Sequence, residues 1–168
     1  MPGHNLTAPR SWQISAYVRG LGKSEGDVVT GNSERGATLL RSTGCLQCHI
    51  LNGEGGLLGP SLTDIGIRRS PSYLRNKLLN PGGDVASMVN QVQLTAPGGT
   101  KITGIRMNED TWSIQLRDLN GAFHSFWKKD VTDFHVTPRS LMPSYRGRLN
   151  KQEIDDLVAY LARVGPRL

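Results

Sequence analysis

The chain contains little cysteine and no long apolar run. Its two cysteines, Cys45 and Cys48, are separated by only two of its 168 residues, so they cannot cross-link distant segments, which excludes a disulfide scaffold. No apolar stretch approaches the about 20 residues that cross a bilayer. The first residues lack the charged and apolar regions of a signal peptide. If the protein is exported, we therefore expect this sequence to be a mature form or an excised part of a longer one.

Apolar residues are also few, at 37% of a chain with the length of one ordinary domain. A buried cofactor would supply the missing part of the core. Lys and Arg number 20 against 14 Asp and Glu, which gives a net charge of +6. This surplus favours acidic protein partners or anionic surfaces, and the charge alone also fits nucleic acid.

Apolar periodicity and capping residues predict four helices. Ser33 and Ser70 are the expected N-caps of the second and third helices. Asn150 and Glu153 form a capping-box pair at the start of the fourth. The predicted helices cover Trp12 to Leu21, Ser33 to Ser42, Pro71 to about Asn80, and Asn150 to the Gly165-Pro166 pair.

Between Val85 and Thr137 the apolar period changes to two, which is typical of strands. The Asn120-Gly121 pair predicts a hairpin. Five short strands would form a meander or a small barrel, so a small β module interrupts a helical protein. We expect one face of its sheet to be buried by its apolar residues, Trp112, Ile114, Leu116, Phe123, Trp127 and Phe134.

The two cysteines belong to the sequence Cys45-Leu46-Gln47-Cys48-His49. Thiols at this spacing can add to the two vinyl groups of one porphyrin, and the histidine that follows can lie beneath the iron as its proximal ligand. The motif therefore indicates covalent haem attachment.

Besides a chance occurrence of the motif, two other interpretations of the cysteine pair stay open. A redox dithiol is expected at the start of a helix that follows a strand, whereas this pair follows a predicted helix and leads into a Gly-rich loop. A structural zinc site requires a second Cys or His pair. The other histidines, His4, His124 and His135, are scattered singly. Both alternatives are therefore less well supported than haem.

Further motifs follow in order: Gly59-Pro60-Ser61-Leu62, then Leu141-Met142-Pro143-Ser144-Tyr145, then the helix with Leu157 to Leu161. Together with the cysteine motif they resemble the class I cytochrome c family, over residues 33–80 and 137–165. The resemblance implies a mainly α fold and one covalently bound haem c. It also implies that the Pro60 carbonyl accepts a hydrogen bond from His49, that His49 and Met142 ligate the iron, and that Gly36 and Tyr160 lie where the first and last haem-domain helices cross.

Met142 has rivals as the second ligand. Met88, Met107, His124 and His135 all lie in the period-two segment, where strands alone explain their spacing. A methionine in a Leu-Met-Pro string is also common as core filler. The position of Met142 in a Pro-stiffened loop before the last helix favours it as the ligand.

The resemblance breaks at the β segment. We expect a cytochrome domain over residues 31–168, α+β overall, interrupted by a β-strand insertion over residues 85–137. This arrangement resembles a bacterial haem-binding domain found at the end of larger extracytoplasmic proteins. Because covalent haem attachment takes place outside the cytoplasm, a periplasmic location is implied and nucleic acid is not. The strand pattern is only faintly similar to an Sm-type barrel.

Residues 1–30 form an N-terminal extension with one helix. The stretch from Ala16 to Gly22 parallels that from Ala159 to Gly165 within the last helix. The first helix is therefore either the closing helix of a preceding cytochrome unit or an extra helix that covers this domain.

An iron ligated by both His and Met has no open position, so the resemblance implies an electron carrier that passes single electrons between redox partner proteins, and not an enzyme. No Ser or Cys has a plausible base at motif spacing, and Asp155-Asp156 is interpreted as a solvated face. Two alternatives remain: a haem sensor or peroxidase-like enzyme in which Met142 dissociates, and a binding module in which the β insertion recognises a partner.

Overall fold

The computed structural model describes residues 6–20, 28–83, 91–137 and 140–165. The predicted boundaries Leu21 and Val85, and the rival ligand Met88, lie outside these ranges. None of the helices in the described part has the length and apolar character that crossing a bilayer requires. The helices are α1 (Ala8–Gly20), α2 (Ser33–Ser42), α3 (Ile65–Arg68), α4 (Pro71–Leu79) and α5 (Lys151–Leu161). The strands are β1 (Ile50–Leu51), β2 (Glu54–Gly55), β3 (Gln91–Thr95), β4 (Lys101–Glu109), β5 (Ser113–Asp118), β6 (Phe123–Trp127) and β7 (Thr132–Thr137).

Two of the three predicted helix caps are confirmed. Ser70 caps α4 by accepting a hydrogen bond from the Tyr73 backbone, and Pro71 occupies the first turn. At the start of α5, Asn150 and Glu153 form a reciprocal capping box. The side-chain oxygens therefore satisfy backbone N–H groups that the first turn of a helix leaves unpaired.

The predicted N-cap of α2 is wrong by one residue. Asn32 caps the helix, because its side chain accepts from the backbone N–H groups of Glu34 and Arg35 at 3.0 and 2.9 Å. Ser33 already lies in the first turn, and its hydroxyl accepts instead from the Arg163 guanidinium at 2.8 Å. Asparagine and serine are both preferred residues at an N-cap, so only the backbone conformation decides which of the two caps the helix.

Helices α2 and α5 cross in close contact. A Cβ atom at Gly36 would lie 2.0 Å from the Asp156 carbonyl oxygen and 2.8 Å from the Tyr160 Cβ. Only glycine permits this approach, so the expected crossing at Gly36 and Tyr160 is confirmed. The buried cluster around the crossing consists of Leu40, Leu51, Leu74, Leu78, Tyr145, Ile154, Leu157, Val158, Leu161 and Val164.

The prediction that Asp155 and Asp156 form a solvated face is wrong. Both residues are buried, at 4% and 2% exposure, because α5 packs against both α2 and α4. Asp155 pairs with Arg75 of α4. Asp156 accepts hydrogen bonds from the Arg35 Nε and the Asn32 backbone N–H, each at 2.7 Å. The hydrogen bond from Arg35, as the largest cause, and that from the Asn32 backbone, as the second, hold the pKa of Asp156 well below its usual value.

Strands β3 to β7 form one antiparallel sheet, in the order β6-β5-β4-β3-β7. Strands β3 to β6 form a meander, and β7 returns to pair with β3. The predicted hairpin at Asn120-Gly121 is present between β5 and β6. This sheet has its own buried cluster, which consists of Val92, Leu94, Ala96, Ile114, Leu116 and Val131.

The predicted inward face of the sheet is partly wrong. Ile114 and Leu116 are fully buried, but Trp112, Phe123 and Trp127 are 72%, 56% and 60% exposed. Trp112 precedes β5 and lies outside the strand. The register of β5 and β6 places Phe123 and Trp127 on the face opposite to Ile114 and Leu116, since side chains alternate along a strand.

The described side chains of helix α1 are not buried against the domain. Its side chains from Ala8 to Val18 are all exposed, including Trp12 at 69% and Tyr17 at 70%. The alternative in which this helix covers the domain is therefore wrong for the described side chains. The other alternative, in which α1 is the closing helix of a preceding cytochrome unit, stays a prediction.

Candidate functional site

The cysteine–histidine motif forms one tight turn after α2. Gly44, at a φ of 77°, reverses the chain, and a 3₁₀ turn over Cys45–Gln47 follows. The Cys45 carbonyl accepts hydrogen bonds from the backbone N–H groups of Cys48 and His49, at 3.3 and 3.0 Å. Both cysteines are free, partly buried thiols. The turn therefore holds two thiols and an imidazole within a few residues of one another.

His49 is oriented by the loop that follows it. Its Nδ1 lies 2.7 Å from the Pro60 carbonyl oxygen. A carbonyl can only accept a hydrogen bond, so Nδ1 carries a proton; in the neutral ring the free lone pair then lies on Nε2. A hydrogen bond of this kind fixes the ring and increases the basicity of the other nitrogen toward a metal ion. The structure thus contains the His49–Pro60 contact that the family resemblance implied.

Glycines allow this loop to approach the motif closely. A Cβ atom at Gly59 would lie 2.6 Å from both Nδ1 and Cε1 of the His49 ring, and one at Gly56 would lie 2.2 Å from the Gln47 carbonyl oxygen. The Gly59 N–H donates to the Cys48 carbonyl at 2.6 Å. The Gly-rich segment is therefore a cradle around the motif, and any side chain at these positions would fill it.

A short hairpin within this loop was not predicted from the sequence. Strands β1 and β2 are joined at Asn52 and Gly53, with φ values of 51° and 88°. Two consecutive positive φ values are typical of a type I′ turn, which Asn-Gly favours. The signal was present in the sequence, but the flanking strands of two residues each are too short to give a periodic pattern.

The loop that carries Met142 is bound to the end of α4. The Tyr145 N–H donates to the Leu78 carbonyl at 2.9 Å, and the Ser144 hydroxyl donates to the Leu79 carbonyl at 2.8 Å. These carbonyls belong to the last turn of α4, where the helix itself offers no partner. Met142 is partly buried and packs against the same hydrophobic cluster as Cys45. The predicted ligand and the predicted attachment site therefore share one core.

The rival ligands that can be described lie elsewhere. Met107, in β4, is 49% exposed. The His124 Nε2 is 2.8 Å from an Asp118 carboxylate oxygen. His135 lies exposed on β7. Met107 is not among the described hydrophobic residues that pack, as Cys45 and Met142 do, against the cluster around the α2–α5 crossing.

Tyr145 is a site residue that sequence reasoning missed. Its hydroxyl lies 3.6 Å from the Cys45 sulfur, and the Thr43 hydroxyl lies 3.4 Å from the same atom. Burial, as the larger cause, and the hydrogen bond to Cys45, as the smaller one, raise the pKa of Tyr145 to about 12. The phenol therefore stays a neutral donor at physiological pH. Its proximity to Met142 in the sequence was visible, but its contact with Cys45, 100 residues away, was not.

The donor set fits a covalently attached haem. Two free thiols on one turn can each form a thioether, and His49 Nδ1 is bonded to Pro60, which leaves Nε2 as the nitrogen that can bind iron. A structural zinc site fits less well, because the described residues contain no group of three or more His, Cys, Asp or Glu side chains able to hold a metal ion. The site therefore defines a haem-attachment motif in a small α+β protein.

Comparison with known proteins agrees with this assignment. The family model of cytochrome c matches residues 33–118, about half of the chain. The match includes the cysteine–histidine motif and Pro60, and it ends before Met142. The chain therefore belongs to the cytochrome c family and is a haem-binding electron-transfer protein. No curated protein matches the sequence significantly.

Proposed function

We propose that the protein is a mono-haem c-type cytochrome in which His49 and Met142 ligate the iron, and that it passes single electrons between redox partners. The observation that carries this proposal is the 2.7 Å contact between His49 Nδ1 and the Pro60 carbonyl oxygen, next to two free thiols. Haem bound at this site would supply the iron that gains and loses the electron.

Cys45 and Cys48 attach the cofactor. Each thiol would form one thioether by addition of its S–H across a haem vinyl group, which requires no oxidant. The chain has no other cysteine, which supports one covalently bound haem. The contact of the Tyr145 hydroxyl with the Cys45 sulfur is compatible with a thioether, since the phenol can act as the donor.

The two axial ligands set the redox behaviour. Pro60 holds the His49 ring in one orientation and one tautomer. The Met142 thioether favours the ferrous state and raises the potential relative to a second histidine. An iron held by both His49 and Met142 would offer no open site to a substrate, which favours an electron carrier over an enzyme.

The chain order supports a β insertion over residues 85–137 in a cytochrome domain of residues 31–168, with residues 1–30 as an extension. The segment leaves after α4 and returns to the Met142 loop, and these points are joined by the Ser144–Leu79 hydrogen bond of 2.8 Å. Because Leu79 and Ser144, which flank the segment, lie in direct contact, the helical domain can close without the segment.

The charge distribution supports redox partners with acidic docking surfaces. Residues 91–137 contain equal numbers of basic and acidic side chains. The surplus of six positive charges therefore lies in the rest of the chain, with the proposed haem site. A basic surface steers acidic partners toward it. The family also suggests an extracytoplasmic location, and we propose the periplasm.

The test is the holoprotein made with and without its thiols. We expect a low-spin ferric spectrum, and haem that stays with the polypeptide in acidified organic solvent. The Cys45→Ala, Cys48→Ala double variant should release its haem under the same treatment. Extractable haem in the unmutated protein would contradict covalent attachment. A high-spin ferric spectrum at neutral pH would favour a sensor or peroxidase-like enzyme.

A further inference from the structure

The two edges of the five-stranded sheet differ in how they are protected. At one edge, β7 contains Asp133 at a φ of 50° and pairs irregularly with β3, where the register shifts between Gln93 and Thr95. Such irregularity and charge are the features that prevent an edge strand from pairing with another chain. At the other edge, β6 pairs regularly with β5 over its whole length. It contains no Lys, Arg, Asp, Glu or Pro.

The free edge of β6 presents regularly spaced backbone groups. The Asp118 N–H donates to the Ala122 carbonyl and the Lys128 N–H donates to the Trp112 carbonyl. In an antiparallel pair, bonded positions alternate along the strand. Residues 124 and 126 are therefore directed toward β5. Phe123, Ser125 and Trp127 direct their N–H and C=O groups outward, where no strand of the described residues pairs with them.

The same three residues share one face of the sheet, with Phe123 and Trp127 more than half exposed. They are placed symmetrically about Ser125, since one large aromatic residue stands two positions before it and another two positions after it. A two-fold axis through Ser125 would bring Phe123 opposite the partner's Trp127, with Ser125 opposite the partner's Ser125. Each of these pairs is of the hydrogen-bonded kind, so all the outward backbone groups would be satisfied together.

We infer that β6 is a homodimer interface, on which a second copy of this chain adds its own β6 in antiparallel orientation about Ser125. A two-fold contact of this type uses the same surface patch on both subunits. Aromatic residues on directly opposed positions stabilise such pairs.

Charge is compatible with this occupant. Two copies of a protein with a net charge of +6 repel each other. The segment of residues 91–137 carries as many acidic as basic side chains. Two copies can therefore approach each other through this segment without the repulsion of their net charges. The interface lies in the sheet and uses none of the proposed haem ligands, so the inference stands apart from the proposed function.

The test measures the mass of the holoprotein in solution by sedimentation or light scattering. We expect the unmutated protein to have twice the 18.4 kDa of the chain. Ser125 is exposed, so a charged residue there is tolerated in the monomer but meets its own copy in the dimer. Ser125→Glu and Ser125→Lys should each be monomeric, and an equimolar mixture of the two should recover the dimer.

Cross-linking gives a second measurement. Directly opposed Cα atoms in a hydrogen-bonded antiparallel pair are about 5.5 Å apart, which is within the reach of a disulfide. Ser125→Cys should therefore form a covalent dimer under mild oxidation. Thr132→Cys and Thr132→Glu, on the exposed edge of β7, are the matched controls and should neither cross-link nor change the mass.

Three outcomes would overturn the inference: a monomeric unmutated protein at millimolar concentration, a dimer that Ser125→Glu leaves intact, or charged variants that stay monomeric when mixed. A larger assembly that Thr132→Glu dissociates would also overturn it, because that result would indicate head-to-tail pairing between β6 and β7. The haem spectrum serves as the folding control, since every variant should keep the spectrum of the unmutated protein.

Discussion

Replacement of Gly59 by alanine tests whether the Gly-rich loop orients the proximal histidine. The new Cβ would lie 2.6 Å from the Nδ1 and Cε1 atoms of His49, far inside the ordinary contact distance of about 3.5–4.0 Å. Either the ring or the loop must move by most of an ångström. Because Gly59 directly precedes Pro60, the movement would break the 2.7 Å hydrogen bond between His49 and the Pro60 carbonyl.

The magnitude follows from three contributions. Relief of the overlap costs about 1–3 kcal/mol, and the lost hydrogen bond costs about 1 kcal/mol. The smaller entropy of the unfolded chain returns about 0.4–1 kcal/mol. The net cost is on the order of 2 kcal/mol, which lowers the unfolding temperature by about 4–8 °C for a chain of this length. A displaced His49 should also weaken the iron bond and shift the absorption spectrum.

The matched control is Gly82→Ala, since a Cβ at Gly82 would meet nothing within 4 Å. Neither glycine has a positive φ, so backbone strain contributes to neither variant. Thermal unfolding of the two holoproteins, followed by far-UV circular dichroism and by the haem absorption, gives the comparison. The reasoning would be refuted if Gly59→Ala unfolded at the same temperature as Gly82→Ala with an unchanged haem spectrum.

Four further predictions concern the proposed ligand Met142, the buried carboxylate of Asp156, the N-terminal extension and the β insertion. Met142→Ala should abolish the methionine–iron absorption band and lower the reduction potential, whereas Met107→Ala, at an exposed position, should change neither; the opposite result would show that Met107 is the ligand. Folding lowers the pKa of Asp156, so its negative charge stabilises the folded protein at any pH above the unfolded pKa of about 3.9. This contribution is lost as the pH falls from there through the lower pKa of the folded state. Asp156→Asn should therefore unfold at a lower temperature than the unmutated protein at pH 6, with the difference shrinking toward pH 2 in calorimetric scans, and a constant difference would contradict the assigned charge. Deletion of residues 1–30 should leave the absorption spectrum intact, because no proposed ligand lies there, and loss of the methionine–iron band would place this segment in the haem pocket. Replacement of residues 85–137 by a short Gly/Ser linker should preserve His/Met ligation and change electron-transfer rates with the native partner more than with a small inorganic oxidant; equal effects would rule out a partner-facing role.

The sequence determined the features that depend on neighbouring residues. The spacing within Cys45 to His49 is a local property, because one short turn brings both thiols and the imidazole together. The caps of α4 and α5 were also predictable, since Ser70 and Asn150 act on backbone groups within three residues of themselves. Order along the chain was enough to indicate the cytochrome c family.

Only the tertiary structure decided which side chains are buried. Asp155 and Asp156 looked like a solvent-facing pair, yet α2 and α4 approach α5 from two sides and supply Arg35 and Arg75 as partners. The inward and outward faces of β6 were likewise undetermined, because a shift of one residue in register exchanges them. The contact between Tyr145 and the Cys45 sulfur is of the same kind. The loop that carries Tyr145 reaches the first cysteine only because the last carbonyls of α4 bind it there, and no local pattern in the sequence records such a distant hydrogen bond.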